Sequence, residues 1–436
     1  MIPKGWELQS LEKVATLQRG KFSARPRNLP EYFDGRIPFA QTGDVANCGG
    51  YLRECSQFLS ELGMTFSRTF PANTLLMTIA ANVGDIALTT FETACTDSIV
   101  GITPRNDHDV NWLRFALQFR KSDLEALAPQ NAQANLSLAR LNPFLLLVPP
   151  NSEQQAISRV LVRWDRAIEF TEKLISAKQK RKQALVQQLL SGEIRLPAFS
   201  KRKTKKPSHI VRVPAAVRRG IYPPSVQPGI PKLIEKPDGW DKKTMAELLK
   251  TKKRRVQLDD DTEYDLVVAK RNRGGIEPRG KLRGEEIRTS TQFKVEAGDF
   301  VISRRQIIHG ACGIVPESLD GAIVSNEYSV FTVNEHLDPG YLRLLSHSLY
   351  FQQTCFHSSV GVAVEKMIFK VEQWLKYPFL LPPIEEQRAI TKTLETAEAE
   401  IALLQQRVEK LKRQKKGLMQ QLLTGKTRVK LPKGAA

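Results

Sequence analysis

Hydrophobic residues follow a heptad rhythm along two stretches of the chain, each introduced by a pair of prolines. In the stretch after Pro149-Pro150, we count from Ile157 in alternate steps of four and three residues, and seven of the ten positions are apolar. In the stretch after Pro382-Pro383, the same count from Ile390 gives nine apolar positions of ten. A heptad pattern kept for about five heptads indicates a coiled coil rather than an ordinary surface helix. We therefore predict two helices of about 40 residues, each ~60 Å long at 1.5 Å per residue.

These seam positions run evenly along both predicted helices. The apolar ones are Ile157, Leu161, Trp164, Ile168, Ile175, Leu185 and Leu189 in the first helix and Ile390, Leu394, Ala397, Ile401, Leu404, Val408, Leu411, Leu418 and Leu422 in the second. Lys182 and Lys415 occupy equivalent seam positions, where a lone polar residue can set register and pairing; a side chain reaching solvent near a frayed helix end is the alternative. Gly192 and Gly425 stand where a left-handed C-terminal cap is expected.

Shorter apolar runs, broken by Gly, Asn and Pro, precede each long helix. Residues 74–79 and 99–102 in the first region, and 299–303 and 328–333 in the second, are typical of strands. One helix is predicted in each region, over 110–127 and from Gly340 to about Phe351. The pattern as a whole predicts an α+β fold.

The chain also repeats itself. Residues 149–195 realign on 382–428 at a constant offset of 233, with 16 of 47 positions identical and no gap. Pro3, Gly5 and Trp6 correspond to Pro237, Gly239 and Trp240 at an offset of 234, so the repeat covers nearly the whole chain. Two long repeats predict a pseudo-two-fold symmetric molecule, which suits a partner with two-fold symmetry of its own, such as duplex DNA.

This organisation divides the 436 residues into five segments. We predict a first domain at 1–148, a central helix at 149–196, a basic Pro-rich linker at 197–236, a second domain at 237–381, and a C-terminal helix and tail at 382–436. From residue 201 to 236 the linker holds ten Lys or Arg, one acidic residue and six prolines, which is typical of a semi-extended segment.

Composition favours a polyanionic partner. The formal net charge is +20, and the basic excess is spread widely rather than confined to one tail. The five cysteines form no Cys-x-x-Cys pair and are odd in number, which fits a reducing cytoplasm. The six histidines lack ligand spacing, no stretch approaches the ~18 apolar residues of a membrane span, and no signal peptide is apparent. We expect no metal, no cofactor and no membrane partner.

Clusters of basic and amide side chains are the candidate DNA-binding residues. Arg and Gln can make bidentate contacts to guanine and adenine, whereas most Lys and many Arg contacts reach only phosphate. A solvated loop without base contacts is the alternative for any single residue. The candidates are Arg19, Lys21, Arg25, Arg27, Arg36, Gln41 and Thr42 in the first domain and Arg271, Arg273, Arg279, Lys281, Arg283, Arg288, Arg304 and Arg305 in the second. Asp44 is expected to cap a turn, and Arg273→Ala is predicted to affect only the half-site read by the second domain.

Catalytic signatures are incomplete in this sequence. Asn142-Pro143-Phe144 lacks the second proline of the Asn-Pro-Pro-Phe signature of adenine methyltransferases. Gly425-Lys426-Thr427 resembles the end of a phosphate-binding loop, but Gln420 stands where the motif requires Gly, so a helix cap is the better interpretation. We therefore predict no catalytic residues.

A variable domain followed by Pro-Pro-x-x-Glu-Gln and a long helix ending in Gln-Gln-Leu-Leu-[Ser/Thr]-Gly, all present twice, resembles the specificity subunit of type I restriction-modification systems. The fragments 37–44 and 298–304 add to this resemblance, which covers essentially the full chain. The resemblance implies two target recognition domains, each reading one half of a split DNA site, separated by two helices packed as an antiparallel coiled coil. It also implies docking of two modification subunits, with restriction subunits joining them. The linker is longer and more basic than the family pattern leads us to expect.

Two other functions remain open on the residues alone. One is the specificity subunit of a related methylation system without a restriction motor. The other is a structural coiled-coil adaptor whose charge binds RNA or membrane loosely. Dependence of DNA affinity on half-site spacing would separate recognition from the adaptor, and co-purifying partners would identify the methylation-only system.

Overall fold

The computed structural model describes residues 2–128, 135–200 and 229–430, which form two compact units. Unit 1 comprises Met1–Leu174 and Leu404–Ala436, and unit 2 comprises Ile175–Leu403. Both boundaries fall inside long helices, so each unit contains one domain and a segment of each helix. Most of the predicted linker, with its Pro223-Pro224 pair, lies outside the described residues; its start, Pro197–Phe199, is a 3-10 turn.

The long helices have the predicted length. They span Asn151–Leu190 and Ile384–Leu423, 40 residues each, and begin directly after the proline pairs. Gly192 and Gly425 follow their ends with φ of 68° in both cases, which confirms the predicted left-handed caps.

The described residues of the first domain, 2–128 and 135–148, form eleven short strands and a few short helices. Its strands are Glu7–Ser10, Ala15–Arg19, Phe33–Ala40, Tyr51–Leu52, Gln57–Leu59, Thr69–Phe70, Leu75–Thr78, Ile86–Thr89, Thr93–Cys95, Ile99–Pro104 and Leu145–Val148. Its helices are Leu11–Val14, Thr42–Asn47, Glu61–Thr65, Val110–Phe119, Lys121–Leu127 and Leu138–Leu141, with a 3-10 turn at Pro30–Tyr32.

The second domain follows the same style with thirteen strands. These are Asp241–Thr244, Leu249–Lys252, Arg255–Val256, Glu263–Ala269, Ile276–Arg283, Gln292–Lys294, Phe300–Ser303, Cys312–Ile314, Ile323–Ser325, Tyr328–Val333, Ser359–Val360, Ile368–Phe369 and Pro378–Leu381. Helices span Met245–Leu248, Pro339–Leu345, Leu349–His357 and Val371–Trp374, and 3-10 turns span Gly284–Glu286, Ile307–His309, Glu317–Leu319 and Val364–Lys366. The strands predicted at 299–303 and 328–333 are thereby confirmed.

Each domain has two principal sheets, and their strand orders match. The first sheet of domain 1 runs Ala15–Arg19, Ile99–Pro104, Leu75–Thr78, Ile86–Thr89, Tyr51–Leu52; that of domain 2 runs Leu249–Lys252, Tyr328–Val333, Phe300–Ser303, Cys312–Ile314. The second sheets run Gln57–Leu59, Phe33–Ala40, Thr93–Cys95, Thr69–Phe70 and Ile276–Arg283, Glu263–Ala269, Ile323–Ser325, Gln292–Lys294, Arg255–Val256. In both second sheets the central pair is parallel and the flanking pairs are antiparallel. The repeat seen in the helices therefore extends to the domains.

The helices predicted inside the domains are each interrupted. In domain 1 Arg120 leaves the helical conformation, with φ −94° and ψ 18°, and a second helix follows it. In domain 2 the Ser348 hydroxyl accepts the Phe351 N–H at 3.2 Å and so begins a new helix. The single helices predicted over 110–127 and 340–351 were wrong in this respect, because the backbone turn at Arg120 and the cap at Ser348 interrupt the helical conformation within each apolar run.

The ends of the long helices belong to the domain cores. In unit 1, Leu161 and Leu422 pack in one apolar cluster with Trp112. In unit 2, Leu189 and Leu394 pack in the same way with Tyr341. Each domain core therefore contains one segment from each long helix. The ends of the long helices are thus packed against the domains.

Candidate nucleic-acid interface and helix pair

Two predicted arginines of the first domain meet at Asp97. Arg27 forms a two-pronged ion pair with this carboxylate, its Nη2 lying 2.6 Å from Oδ2. The Nε of Arg19 donates to the Asp97 carbonyl oxygen at 2.6 Å. Burial opposes ionisation of Asp97, but the hydrogen bond and charge of Arg27 and the charge of Arg19 hold the pKa of that carboxyl below its ordinary value. Both guanidinium groups are thus positioned without a ligand.

Gln41 and Thr42 lie where strand Phe33–Ala40 ends. Gln41 precedes helix Thr42–Asn47, and its Nε2 donates to Gln57 Oε1 at 2.9 Å. Its backbone N–H donates to Asp44 Oδ2 at 2.8 Å, so Asp44 caps the turn as predicted. Gln41 and Thr42 are half-buried, whereas the remaining candidates of this domain, Lys21, Arg25 and Arg36, are exposed.

In the second domain, most candidates lie on the hairpin of strands Glu263–Ala269 and Ile276–Arg283. The second of these strands is a sheet edge, and every residue after Ile276 is exposed. Lys281 and Arg283 alternate along it and therefore share one face, and Arg279 lies at a β-bulge between the residues that pair with Leu266 and Val267. Lys281 lies 3.5 Å from Asp265 and 3.7 Å from Glu263 on the neighbouring strand. An exposed basic edge strand can enter a nucleic-acid groove and is also protected from pairing with other strands.

The turn of this hairpin meets the Arg304-Arg305-Gln306 segment. Arg271 Nε donates to Gln306 Oε1 at 2.9 Å. Arg304 Nη2 donates to the Asn326 carbonyl at 2.6 Å, and Arg305 pairs with Glu327 at 2.7 Å. The structure thus brings Arg271 together with this segment, while Arg288 is exposed beyond the end of the edge strand.

Arg273 differs from its neighbours in this turn. It is half-buried, has a positive φ of 60°, and its backbone N–H donates to the Gly310 carbonyl at 3.1 Å. An alanine here would alter packing beneath the turn as well as any DNA contact, so it separates the two roles poorly. The predicted half-site effect of Arg273→Ala stays a prediction.

Gln41 and Lys270 occupy the same topological position. Each directly follows a strand of the central parallel pair of the second sheet. In domain 1 this strand is Phe33–Ala40, which pairs with Thr93–Cys95, and in domain 2 it is Glu263–Ala269, which pairs with Ile323–Ser325. In domain 1 a helix and strand Tyr51–Leu52 come before the antiparallel partner; in domain 2 a tight turn leads to it directly. The two domains thus present different side chains at equivalent strand ends.

Sequence reasoning missed a hairpin beside the second cluster. Strands Ser359–Val360 and Ile368–Phe369 pair antiparallel, and Val362 between them is 101% exposed. The Phe369 N–H donates to the Arg304 carbonyl at 2.9 Å, and Glu365 lies 3.6 Å from Arg271. Valines alternating around Gly361 are equally typical of a buried strand, so the sequence did not identify this loop as a surface element.

The long helices bury their predicted seams. Ile157, Leu161, Leu189, Ile390, Leu394, Ile401, Val408 and Leu422 are buried, and Trp164, Ile168, Ile175, Leu185, Leu404, Leu411 and Leu418 are half-buried. The other positions reached by the same spacing, Thr171, Lys178, Lys182, Ala397 and Lys415, are buried or half-buried as well. The spacing of the seam thus identified the covered side of both helices.

Ion pairs define the direction of the helix pair within each unit. In unit 1, Glu172 pairs with Lys412 at 2.9 Å and Asp165 with Lys415 at 2.5 Å. In unit 2, Lys178 pairs with Glu400 at 2.7 Å and Lys182 with Glu398 at 2.6 Å. In both units, residues further along the first long helix pair with residues earlier in the second. The paired helix segments are therefore antiparallel in both units.

Lys182 and Lys415 each belong to a three-residue ionic cluster, here called a triad. In the first triad, Asp165 binds Lys415 and also accepts from Arg114 Nη2 at 2.7 Å. In the second, Glu398 binds Lys182 and lies 3.2 Å from Arg343 Nη2. Burial opposes ionisation of Glu398, but the hydrogen bonds and charges of Lys182 and Arg343 hold its pKa below the ordinary value. The carboxylates and lysines of the two triads correspond at the repeat offset of 233.

The repeated Pro-Pro-x-x-Glu-Gln motif joins each long helix to its domain. Gln154 Oε1 accepts the Asp109 backbone N–H at 3.0 Å, and Gln387 Oε1 accepts that of Asp338 at 2.9 Å. Each aspartate caps a domain helix by accepting a backbone N–H at 2.8 Å. The motif glutamine therefore fixes the start of a domain helix.

The motif glutamates bind arginines that follow the end of the other long helix. Arg428 contacts Glu153 through Nε at 2.6 Å, and Arg195 contacts Glu386 through Nε at 2.9 Å. Trp6 Nε1 also donates to Glu153 at 3.0 Å. The equivalent Trp240 Nε1 is buried without a hydrogen-bond partner among the described residues. Each half thus contains an ion pair between the motif glutamate and an arginine, here called the clasp. The two clasps differ in the tryptophan hydrogen bond, which Trp6 makes and Trp240 does not make within the described part of the chain.

Within residues 2–128, 135–200 and 229–430, no group of three or more His, Cys, Asp or Glu side chains is arranged to hold a metal ion. Across the same ranges no helix has the length and apolarity needed to cross a bilayer.

Comparisons with known proteins agree with this architecture. The sequence model described as "Type I restriction modification DNA specificity domain" matches twice, over residues 3–178 and 237–413. The type I restriction enzyme MjaVIII specificity subunit of Methanocaldococcus jannaschii is 22% identical over 442 residues, covering 98% of this chain and 94% of that protein.

Solved structures show the same fold at low sequence identity. The specificity subunit of a type I restriction-modification system from M. genitalium aligns with a TM-score of 0.54 at 14% identity, covering 97% of this chain and 96% of that one. A chain from a study of complex assembly and conformational transition of the type I system aligns with a TM-score of 0.54 at 12% identity, covering 98% and 100%. With the family's domain matched in both halves, the chain belongs to the type I restriction-modification DNA specificity family.

Proposed function

We propose that the two domains each read one half of a bipartite duplex DNA site, and that the helix pair fixes the spacing between the halves. One observation carries this proposal: the second sheets share their strand order, yet place Gln41-Thr42 at one strand end and Lys270-Arg271 at the equivalent end of the other. A conserved scaffold with different groups at equivalent strand ends suits two readers of different sequences.

Within this proposal the basic residues have different tasks. The exposed arginines, such as Arg36 and Arg279, are candidates for bidentate contacts with guanine, and Gln41 for a contact with adenine. Exposed lysines, such as Lys21 and Lys281, suit phosphate contacts that add affinity without sequence preference. The net charge of +20 supports fast association that weakens with salt.

The helices convert half-site spacing into affinity. Both domains can bind together only if the gap and helical phase of the DNA match the protein. One heptad of helix corresponds to roughly 10 Å, or about three base pairs of B-DNA. Deleting a heptad from both helices should therefore change the preferred gap and leave the recognised bases unchanged.

The chemistry would be supplied by partner subunits. The protein is proposed to be non-catalytic and to confer its target on an adenine-specific methyltransferase and a restriction endonuclease by docking two modification subunits, which restriction subunits join. Phe170 is 72% exposed and Leu403 is 65% exposed, and these residues correspond at the repeat offset of 233. Two exposed apolar side chains at equivalent positions suit two copies of one partner. This role requires access to DNA, so we place the protein in the cytoplasm.

Two experiments test the proposal. Methylation sequencing of a host that carries the complete system should give a split motif with one gap length. Gel shifts of the purified complex on that motif, with the gap varied one base pair at a time at fixed salt, should then show one optimum. Affinity that does not depend on the gap would support the coiled-coil adaptor instead. Co-purification of modification subunits without restriction subunits would support the methylation-only system.

A further inference from the structure

The two triads place lysines on a helix seam that is otherwise largely apolar. Asp165 and Lys415 keep only 11% and 17% of their side chains exposed, and Arg114 keeps 1%. In the second triad, Glu398 and Lys182 keep 32% and 29%. Charges removed from water to this extent are strongly destabilising unless they are paired. A favourable arrangement of the helices therefore provides both Lys182 and Lys415 with a carboxylate.

A different register of the helices would fail this requirement. Since apolar seams repeat every seven residues, the favourable alternatives to the observed packing are slips of one heptad. In unit 1 such a slip places Lys415 opposite Ser158 or Glu172 instead of Asp165. In unit 2 the same two slips place Lys182 opposite Thr391 or Gln405 instead of Glu398. Only the observed register gives both lysines a carboxylate.

The third member of each triad, an arginine, connects the register of the long helices to a domain. Arg114 lies on domain helix Val110–Phe119 and Arg343 on domain helix Pro339–Leu345. Each binds the same carboxylate as the seam lysine. The position of each domain helix is thereby tied to the residue that selects the register.

We propose that Lys182 and Lys415, through Glu398 and Asp165, select the register of the long helices and thereby the DNA gap that the protein accepts. This deepens the proposed function and rests on it. The lysines act as positioning residues and contact no base. Lys412 provides a matched control, because it also pairs across the helices, with Glu172 at 2.9 Å, but about half of each side chain is exposed.

The test measures gap selectivity of the full-length protein with its modification subunits. DNA carrying both half-sites is offered with gaps varied by single base pairs, and the variants are Lys182→Met and Lys415→Met, singly and combined, beside Lys412→Met. In the wild type we expect about a tenfold or larger loss of affinity for a gap that is wrong by about three base pairs, the change that a slip of one heptad produces. In the double methionine variant we expect this loss to fall to about threefold or less, while Lys412→Met keeps the wild-type profile.

A second measurement separates register selection from simple stabilisation. Methionine makes the seam more apolar, and Arg114 and Arg343 still pair the carboxylates, so we expect Tm to be retained while selectivity falls. Lys182→Arg with Lys415→Arg should keep the wild-type gap profile.

Three outcomes have distinct meanings. A folded methionine variant, single or double, with the wild-type gap profile would overturn the role of the lysine that it replaces. Relaxed selectivity in Lys412→Met to the same degree would also overturn the assignment. Loss of gap preference in the wild type itself would instead contradict the proposed function.

Discussion

The two halves of this protein agree at the helices and differ at the second sheet. Glu153 and Glu386 bind equivalent arginines, Gln154 and Gln387 fix equivalent domain helices, and both triads recur with the same chemistry. Near the second sheet, domain 1 holds Arg19 and Arg27 at Asp97, whereas domain 2 extends an exposed basic edge strand. Contacts that both halves make with the same helices have been kept, and surfaces proposed to face different bases have diverged.

The clasp at the motif glutamates gives the largest expected difference between the halves. Arg195→Ala leaves Glu386, which is 1% exposed, without the arginine that neutralises it, and should cost about 3–5 kcal/mol in the free energy of unfolding. Arg428→Ala should cost less, about 1–2 kcal/mol, because Arg428 is 45% exposed and Trp6 still donates to Glu153. Chemical denaturation of both variants measures the difference. Equal losses would show that the Trp6 hydrogen bond does not distinguish the two clasps.

Substitutions of the candidate base-contacting residues should give the second-largest effect, and each should affect the half-site of one domain. Arg279→Ala should weaken binding about 10- to 100-fold through the second half-site, and Gln41→Ala similarly through the first, because each removes a candidate base contact. Competition with DNA altered in one half-site at a time measures this. Arg407→Ala, an exposed charge on the second long helix, is the control and should change neither half-site preference. A uniform loss at both half-sites for Arg279→Ala would identify that residue as a phosphate contact.

The helix caps should behave alike in both halves. Gly192 and Gly425 have φ of 68°, and a Cβ added to either would collide with a proline ring, Pro237 or Pro3. Each Gly→Ala substitution should therefore cost about 1–2 kcal/mol. Thermal unfolding of the two variants tests the equivalence. A cost at one end alone would mean that the two helix ends pack differently.

Acid should produce the smallest effect, through the second triad. The pKa of Glu398 is held below its ordinary value of 4.5, so its ionised form stabilises the folded state above that pH. The stabilisation is lost as the pH falls below about 4.5 through the lowered pKa. Because its side chain is 32% exposed, we expect at most about 1 kcal/mol, measured as the difference in pH-dependent stability between wild type and Glu398→Gln. Glu400→Gln, at a more exposed ion pair, is the control. An unchanged pH profile in Glu398→Gln would contradict this prediction.

Local pattern was enough to predict much of the architecture. The heptad spacing gave both helix lengths and the covered positions, because burial of a helix side depends on a short repeat that is visible in sequence. The proline pairs and Gly192 and Gly425 marked the helix ends, since caps are local as well. The constant offset predicted two equivalent halves, which the matching strand orders confirm.

Tertiary structure decided which distant residues meet. No spacing in the sequence indicated that Arg19 and Arg27 would both reach Asp97, or that Arg114 and Lys415 would share Asp165. The tertiary structure also buries part of the Arg273 side chain and exposes the loop around Val362. The sequence by itself determined the repeat, the helices and their caps, because these depend on neighbours a few residues apart. Strand order, ion-pair partners and the exposure of single side chains required the fold, because they depend on contacts between residues far apart in the chain.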